Sequence, residues 1–319
     1  MSVKDGGGTS ARVEAELDAW LRRAWPGVTR MATRPTARRL QPWCSETLPS
    51  WPPVAARAGT VRERDPFDAV GAADSVSVLL HGSRADGTAC NFSDVDVIAV
   101  VWPGAVRREG RLRATLVALT KILRVTIDVD PLQHHLPKVV VAADRAWRWE
   151  MHPPLFSETL AWVSGPDPRG GAASVRPLDR EAAAERLKSI LGALRVMMRW
   201  NLSNAYLAKG LISTVMLLPA LHAQAGGSAV SKAAALADPP RALGGAITLA
   251  TQARATWSYE GEEVARRLRH RLPYQRGVSV VSRLPAVRTA DHLIPTVERL
   301  RTEIAAYLEI ARHDATARY

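Results

Sequence analysis

Two carboxylates, Asp94 and Asp96, stand one residue apart at the head of an apolar run, DVDVIAVV. A glycine-serine pair, Gly82-Ser83, precedes them across a spacer of ten residues. Alternate side chains of a strand share a face, so both aspartates would point the same way, their Cα atoms about 6.5–7 Å apart. Like charges that close, buried without partners, would be costly, and a divalent cation between them removes the cost. Their oxygens suit Mg²⁺, a hard ion that shares its coordination shell with substrate phosphates. Gly82 lets the backbone approach a phosphate, and Ser83 can donate its hydroxyl to one. Arg84 can reach the same phosphates, and Ser93 can cap a turn or order the metal site. A third acid follows in LRVTIDVDP: read as a strand, it places Arg124, Thr126, Asp128 and Asp130 on one face. Asp128, with Asp130 as the alternative, would then complete a three-carboxylate site. Two metal ions in such a site stabilise the attacking and leaving oxygens of an in-line phosphoryl displacement.

Several elements must position these groups. SVSVLLH (75–81) predicts a short strand, 82–93 a turn with a short helix or loop, and 94–102 a second strand. The apolar spacing of Leu112, Leu116, Leu119 and Ile122 predicts a helix over 108–122. A third strand is expected over 123–130, closed by Pro131, and a further one near 139–143, followed by a short helix at 155–161. Upstream, 11–25 reads as an amphipathic helix and 26–66 as an irregular arm rich in Pro, Arg and Trp. WVSGPDPRGG marks a boundary, and the chain beyond about residue 178 is helical in pattern. The expected class is α+β. It comprises an N-terminal arm (1–70), a small mixed-sheet domain (71–170) and an all-helical C-terminal domain (175–319).

Composition narrows the class further. The chain has 319 residues, of which 47% are hydrophobic and 23% charged, an ordinary globular balance. No secretory leader is evident, and LISTVMLLPALHA is too short and too broken by Pro219 to suggest a membrane span. A cytoplasmic location with no membrane partner is expected. The two cysteines, Cys44 and Cys90, form no CxxC or Cys/His cluster, which argues against a disulfide framework or structural zinc. The net charge of +12 fits a polyanionic partner such as RNA or a nucleotide. Only six of the 43 basic residues are lysine, however, and the arginines are scattered. An arginine- and alanine-rich chain is also what a GC-rich coding sequence produces.

Gly82-Ser83, the spacer and Asp94-Val95-Asp96-Val97 together resemble the signature of the DNA polymerase β-type nucleotidyltransferase superfamily. GSRADGTACNFSDVDV looks especially like its minimal bacterial members. The resemblance covers about residues 75–131. A second, shorter stretch, AQAGGSAVSKAAALADPP followed by ATQARATWSYEG, is similar to the helical C-terminal domain of the aminoglycoside adenylyltransferases that modify streptomycin and spectinomycin. That likeness implies that Lys232 reaches the nucleotide phosphates and that Trp257 or Tyr259 contacts the nucleotide. It also marks departures. Arg124 stands where that family keeps its catalytic acid, so Asp128 would have to replace it. Ala208-Lys209-Gly210 stands where the family's helix supplies acids to a cationic acceptor. The N-terminal arm has no counterpart.

These likenesses imply a Mg²⁺-dependent nucleotidyltransferase with a two-metal site at Asp94, Asp96 and Asp128, Asp128 completing the site or taking the acceptor proton. Gly82, Ser83, Arg84, Ser93 and Lys232 would bind the nucleoside triphosphate, ATP being the expected donor. The acceptor would be a small molecule. A tRNA, another RNA or a protein is the alternative acceptor, and a non-catalytic nucleotide-binding regulatory module the alternative role. Plainer readings stand beside these: solvated carboxylates on an edge strand for Asp94 and Asp96, a surface lysine for Lys232, and packing for His81 and for Trp147 and Trp149. His134 and His135 would face opposite ways in a strand, which disfavours shared metal ligation. Nothing in the sequence defines an oligomeric state.

Overall fold

The computed structural model describes residues 30–31, 39–40, 76–86, 89–93, 95–102, 109–134, 137–141, 161–166, 180–228, 230, 232–272 and 274–316. Asp94, the expected helix at 11–25, and Trp147 and Trp149 lie outside the described residues. The chain forms two compact units. One comprises Met1–Ala89, Ser93–Val175 and Ala265–Val280; the other comprises Cys90–Phe92, Arg176–Val264 and Val281–Tyr319. The units are therefore not contiguous in sequence, as a 71–170 and 175–319 division would be.

The first unit is built on a six-stranded sheet in the order β1-β2-β5-β4-β3-β6. Its strands are β1 (Arg30–Met31), β2 (Arg39–Leu40), β3 (Val76–His81), β4 (Asp96–Val101), β5 (Lys138–Val141) and β6 (Ala161–Ser164). Only β4 and β5 pair in parallel, so the sheet is mixed. The fold class is α+β. In the centre, β3 is buried along its whole length and β4 from Val97 onward. Burying side chains such as Leu79, Leu80 and Ile98 stabilises the fold by about 1.5–3 kcal/mol each. The arm read as irregular supplies β1 and β2, a hairpin at the edge of this sheet. The other edge is β6, Ala161–Ser164, and residues 155–160 of the helix expected just before it lie outside the described residues.

One expected element is corrected. Residues 123–130 are not a strand: helix α2 runs unbroken over Glu109–Val129, after the short α1 (Ser83–Asp86). Val125, Thr126, Ile127 and Val129 have strand propensity, but the 3.6-residue period outweighs it. Thr115, Ala118, Leu119, Ile122, Leu123, Thr126 and Ile127 form one continuous buried stripe. The parallel neighbour of β4 is Lys138–Val141, KVVV, which carries no carboxylate.

The second unit contains α3 (Arg180–Met197), α4 (Ala205–Val215), α5 (Leu218–Ala225), α6 (Lys232–Ala237), α7 (Gly244–Ala255) and α10 (Ile294–Thr316). Helices α8 (Glu262–Arg271) and α9 (Tyr274–Val281) lie mostly in the segment that groups with the sheet. A two-stranded ribbon joins β7 (Tyr259–Glu260) to β8 (Arg288–Thr289). Asn204 caps α4: its Oδ1 accepts from Leu207 N at 3.3 Å, and its Nδ2 donates to Val281 O at 3.0 Å. The stretch Ala205–Ala225 is long and apolar enough to cross a membrane, but its most apolar 18-residue window is 72% buried inside the fold. It forms α4 and α5, the core of this unit.

On α5, His222 packs edge-on against Tyr307, ring centroids 5.9 Å apart, and its Nε2 is hydrogen-bonded to the tyrosine hydroxyl. Burial lowers its pKa below the ordinary 6.5. The folded chain therefore binds fewer protons here than the unfolded chain, which takes one up near pH 6.5. Stability contributed at this site is present above about pH 6.5 and is lost as pH falls toward the folded pKa. Comparing unfolding midpoints at pH 7.5 and pH 5.5, wild type should lose more than His222→Gln; equal losses would show that burial does not govern this histidine.

Candidate functional site

The site forms where β3 ends. Gly82 sits at φ +68, a left-handed conformation that glycine adopts without strain, and Ala85 N donates to Gly82 O at 2.9 Å to close the turn into α1. In the antiparallel register His81 lies opposite Asp96, which brings the Gly82-Ser83 turn to the head of β4. A Cβ on Gly82 would lie 2.8 Å from Asp96 Oδ2, so the close approach also calls for glycine. The Asp96 carboxylate is 25% exposed and its Oδ2 lies 3.9 Å from Nδ1 of the buried His81. Gly82, Ser83 and Asp96 thus converge at one end of the sheet.

Arg84 and Ser93 are also together, but inward. Arg84 is 1% exposed, and its Nη2 donates to the backbone carbonyl of the buried Ser93 at 3.2 Å. Within this unit the guanidinium ties α1 to the segment leading into β4.

Asp128 lies on the last turn of α2, exposed, its Oδ1 2.6 Å from Nε2 of His270 on α8. Its place on a sheet strand beside Asp96, on which the third-ligand assignment rested, is not present. Asp130 is buried and caps the following turn, its Oδ1 accepting from Leu132 N at 2.8 Å. An exposed ion pair contributes about 0–1 kcal/mol. Asp128→Asn should therefore leave the unfolding midpoint nearly unchanged. A loss of stability on the scale of a core substitution would contradict the surface geometry.

In the helical unit Lys232 opens α6 and is half-buried. Trp257 is 3% exposed and meets Phe92 edge-on at 5.2 Å, with Tyr259 6.5 Å away. Lys209, in the apolar helix α4, is wholly buried, its Nζ 5.1 Å from the Phe92 ring centroid and 6.0 Å from that of Trp257. Rings at these distances stabilise a desolvated ammonium by cation–π attraction. The sequence signal for Lys209 was a lone cation in an apolar helix; nothing in it pointed to the two rings. Gln133 and His270 gave no comparable signal.

Among the described residues no group of three or more His, Cys, Asp or Glu side chains could hold a metal ion. Of the two aspartates read as metal ligands, Asp96 is described and partly exposed, and Asp94 lies outside the described residues. A two-carboxylate set completed by phosphate oxygens and water suits Mg²⁺ rather than a softer metal. Neither the models of known protein families nor the curated proteins give a match to this chain.

Proposed function

We propose that this chain is a Mg²⁺-dependent nucleotidyltransferase. It would move a nucleoside monophosphate, AMP as the expected one, from a nucleoside triphosphate to a hydroxyl of a small-molecule acceptor. The observation that carries this reading is the approach of the Gly82 turn to the Asp96 carboxylate at the head of two paired central strands. A turn able to admit phosphate oxygens stands beside a partly exposed carboxylate able to hold their counter-ion.

Asp94 and Asp96 would hold the metal, which supplies charge neutralisation at the phosphates. Gly82 and Ser83 would hold the triphosphate. Arg84 and Ser93 would act by fixing the segment before Asp94 rather than by touching phosphate, because both are buried. The acceptor oxygen attacks the α-phosphorus, the bond to the β-phosphate oxygen breaks, and pyrophosphate leaves. The acceptor proton needs a base. Asp128 is proposed for that role rather than as a metal ligand, since it sits on a helix and pairs with His270.

Incubation with each α-labelled triphosphate and Mg²⁺ in cell extract, followed by fractionation, tests the acceptor. Label entering small molecules supports this reading. Label entering RNA, with affinity falling steeply with salt, would transfer the reaction to a nucleic-acid acceptor, and label entering protein would transfer it to a protein acceptor.

A further inference from the structure

We infer that Gln133 is a positioning residue for Asp96, an inference that rests on the proposed nucleotidyl transfer. The parallel ladder between β4 and β5 begins at Ile98↔Lys138, so Val95, between the two aspartates, lies beyond its last paired residue. Val95 is 2% exposed, and a buried backbone carbonyl without a partner is costly. Gln133 supplies that partner: its wholly buried side chain donates from Nε2 to Val95 O at 3.3 Å. A buried side chain thus acts on the peptide that joins Val95 to Asp96, a proposed metal ligand.

The turn carrying Gln133 is itself held on several sides. Gln133 N donates to Asp130 O at 3.2 Å, and Asp130 N to Thr126 O at 2.9 Å, at the end of α2. Leu132 N donates to Asp130 Oδ1 at 2.8 Å. From α8 the buried Arg269 donates from Nη1 to Pro131 O at 3.0 Å. Outer groups that orient metal ligands typically change metal affinity by about 10–100-fold when removed. Gln133 differs from most in acting on the backbone next to a ligand.

The test compares wild type, Asp96→Asn and Gln133→Met by titration with Mn²⁺·ATP, read by the paramagnetic signal of the metal. Amide hydrogen exchange of the metal-free proteins at residues 95–97 is followed in parallel. Methionine keeps the length of glutamine but cannot donate; Gln133→Leu, which also cannot donate, serves if the methionine variant does not fold. The expected result is binding by wild type, loss in Asp96→Asn, about tenfold weaker binding in Gln133→Met that higher ligand concentration restores, and faster exchange at 95–97. Wild-type affinity and exchange in a folded Gln133 variant, with Asp96→Asn defective, would overturn the positioning role and leave the reaction standing. If wild type binds no better than Asp96→Asn, the proposed metal site is wrong and the inference falls with it.

Discussion

Asp96→Asn is expected to lower triphosphate-dependent pyrophosphate release by at least about a hundredfold while the protein stays folded. Changes to groups that merely support metal ligands reach that size, and here a ligand itself is removed. Asparagine keeps the shape of the side chain and one acceptor oxygen, so it fits the same space beside Gly82 and His81. Burying three-quarters of a carboxylate costs desolvation that asparagine does not incur, and His81 Nδ1, 3.9 Å from Asp96 Oδ2, is at the limit of ion-pair distance. Neutralising it should not destabilise the metal-free chain. Full activity in the variant would remove Asp96 from the chemistry; unfolding would mean that the carboxylate serves the fold instead.

Gly82→Ala should have the second largest effect, and it should act on both stability and activity. The left-handed backbone costs a non-glycine residue about 1–2 kcal/mol. The new Cβ would also lie 2.8 Å from Asp96 Oδ2, so the carboxylate must move. Displacing a reacting group by about 1 Å can cost about a hundredfold in rate, so activity should fall by more than the loss of folded protein explains. Gly192→Ala is the matched control. A Cβ there meets nothing within 4 Å on the exposed side of α3, so stability should rise by about 0.5–1 kcal/mol with no change in activity. Assay of purified folded fractions, with unfolding curves for all three proteins, separates the two effects. If both glycine variants behave alike, the close approach at Gly82 has no functional weight.

The central strands were legible because their apolar runs are short and bounded by Gly82 on one side and the aspartates on the other. The helical half was legible from its period. The stretch 123–130 was not, because branched side chains favour a strand while the spacing of Ile122, Thr126 and Asp130 continues a helix face. Choosing between them required knowing that α2 extends that far against the fold. Hydrogen bonds across long separations left no local trace. Gln133 reaches Val95 over 38 residues and His270 reaches Asp128 over 142, and neither Gln133 nor His270 stands out by type or spacing. Lys209 was conspicuous in a helix otherwise apolar, yet its rings come from residues far from it in sequence. The Gly-Ser turn and Asp96 come together in the structure. The third acid, read from a strand, moved to a helix.

Pyrophosphate release is the most direct measure of nucleotidyl transfer. Wild type and the Asp94→Ala/Asp96→Ala double variant should be incubated with Mg²⁺ and each of the four triphosphates in cell extract. The expected result is release with at least one triphosphate, matched by transfer of labelled monophosphate to an acceptor, abolished by chelation and absent in the double variant. Release at the same rate from both proteins, or from neither, would contradict nucleotidyl transfer at this site.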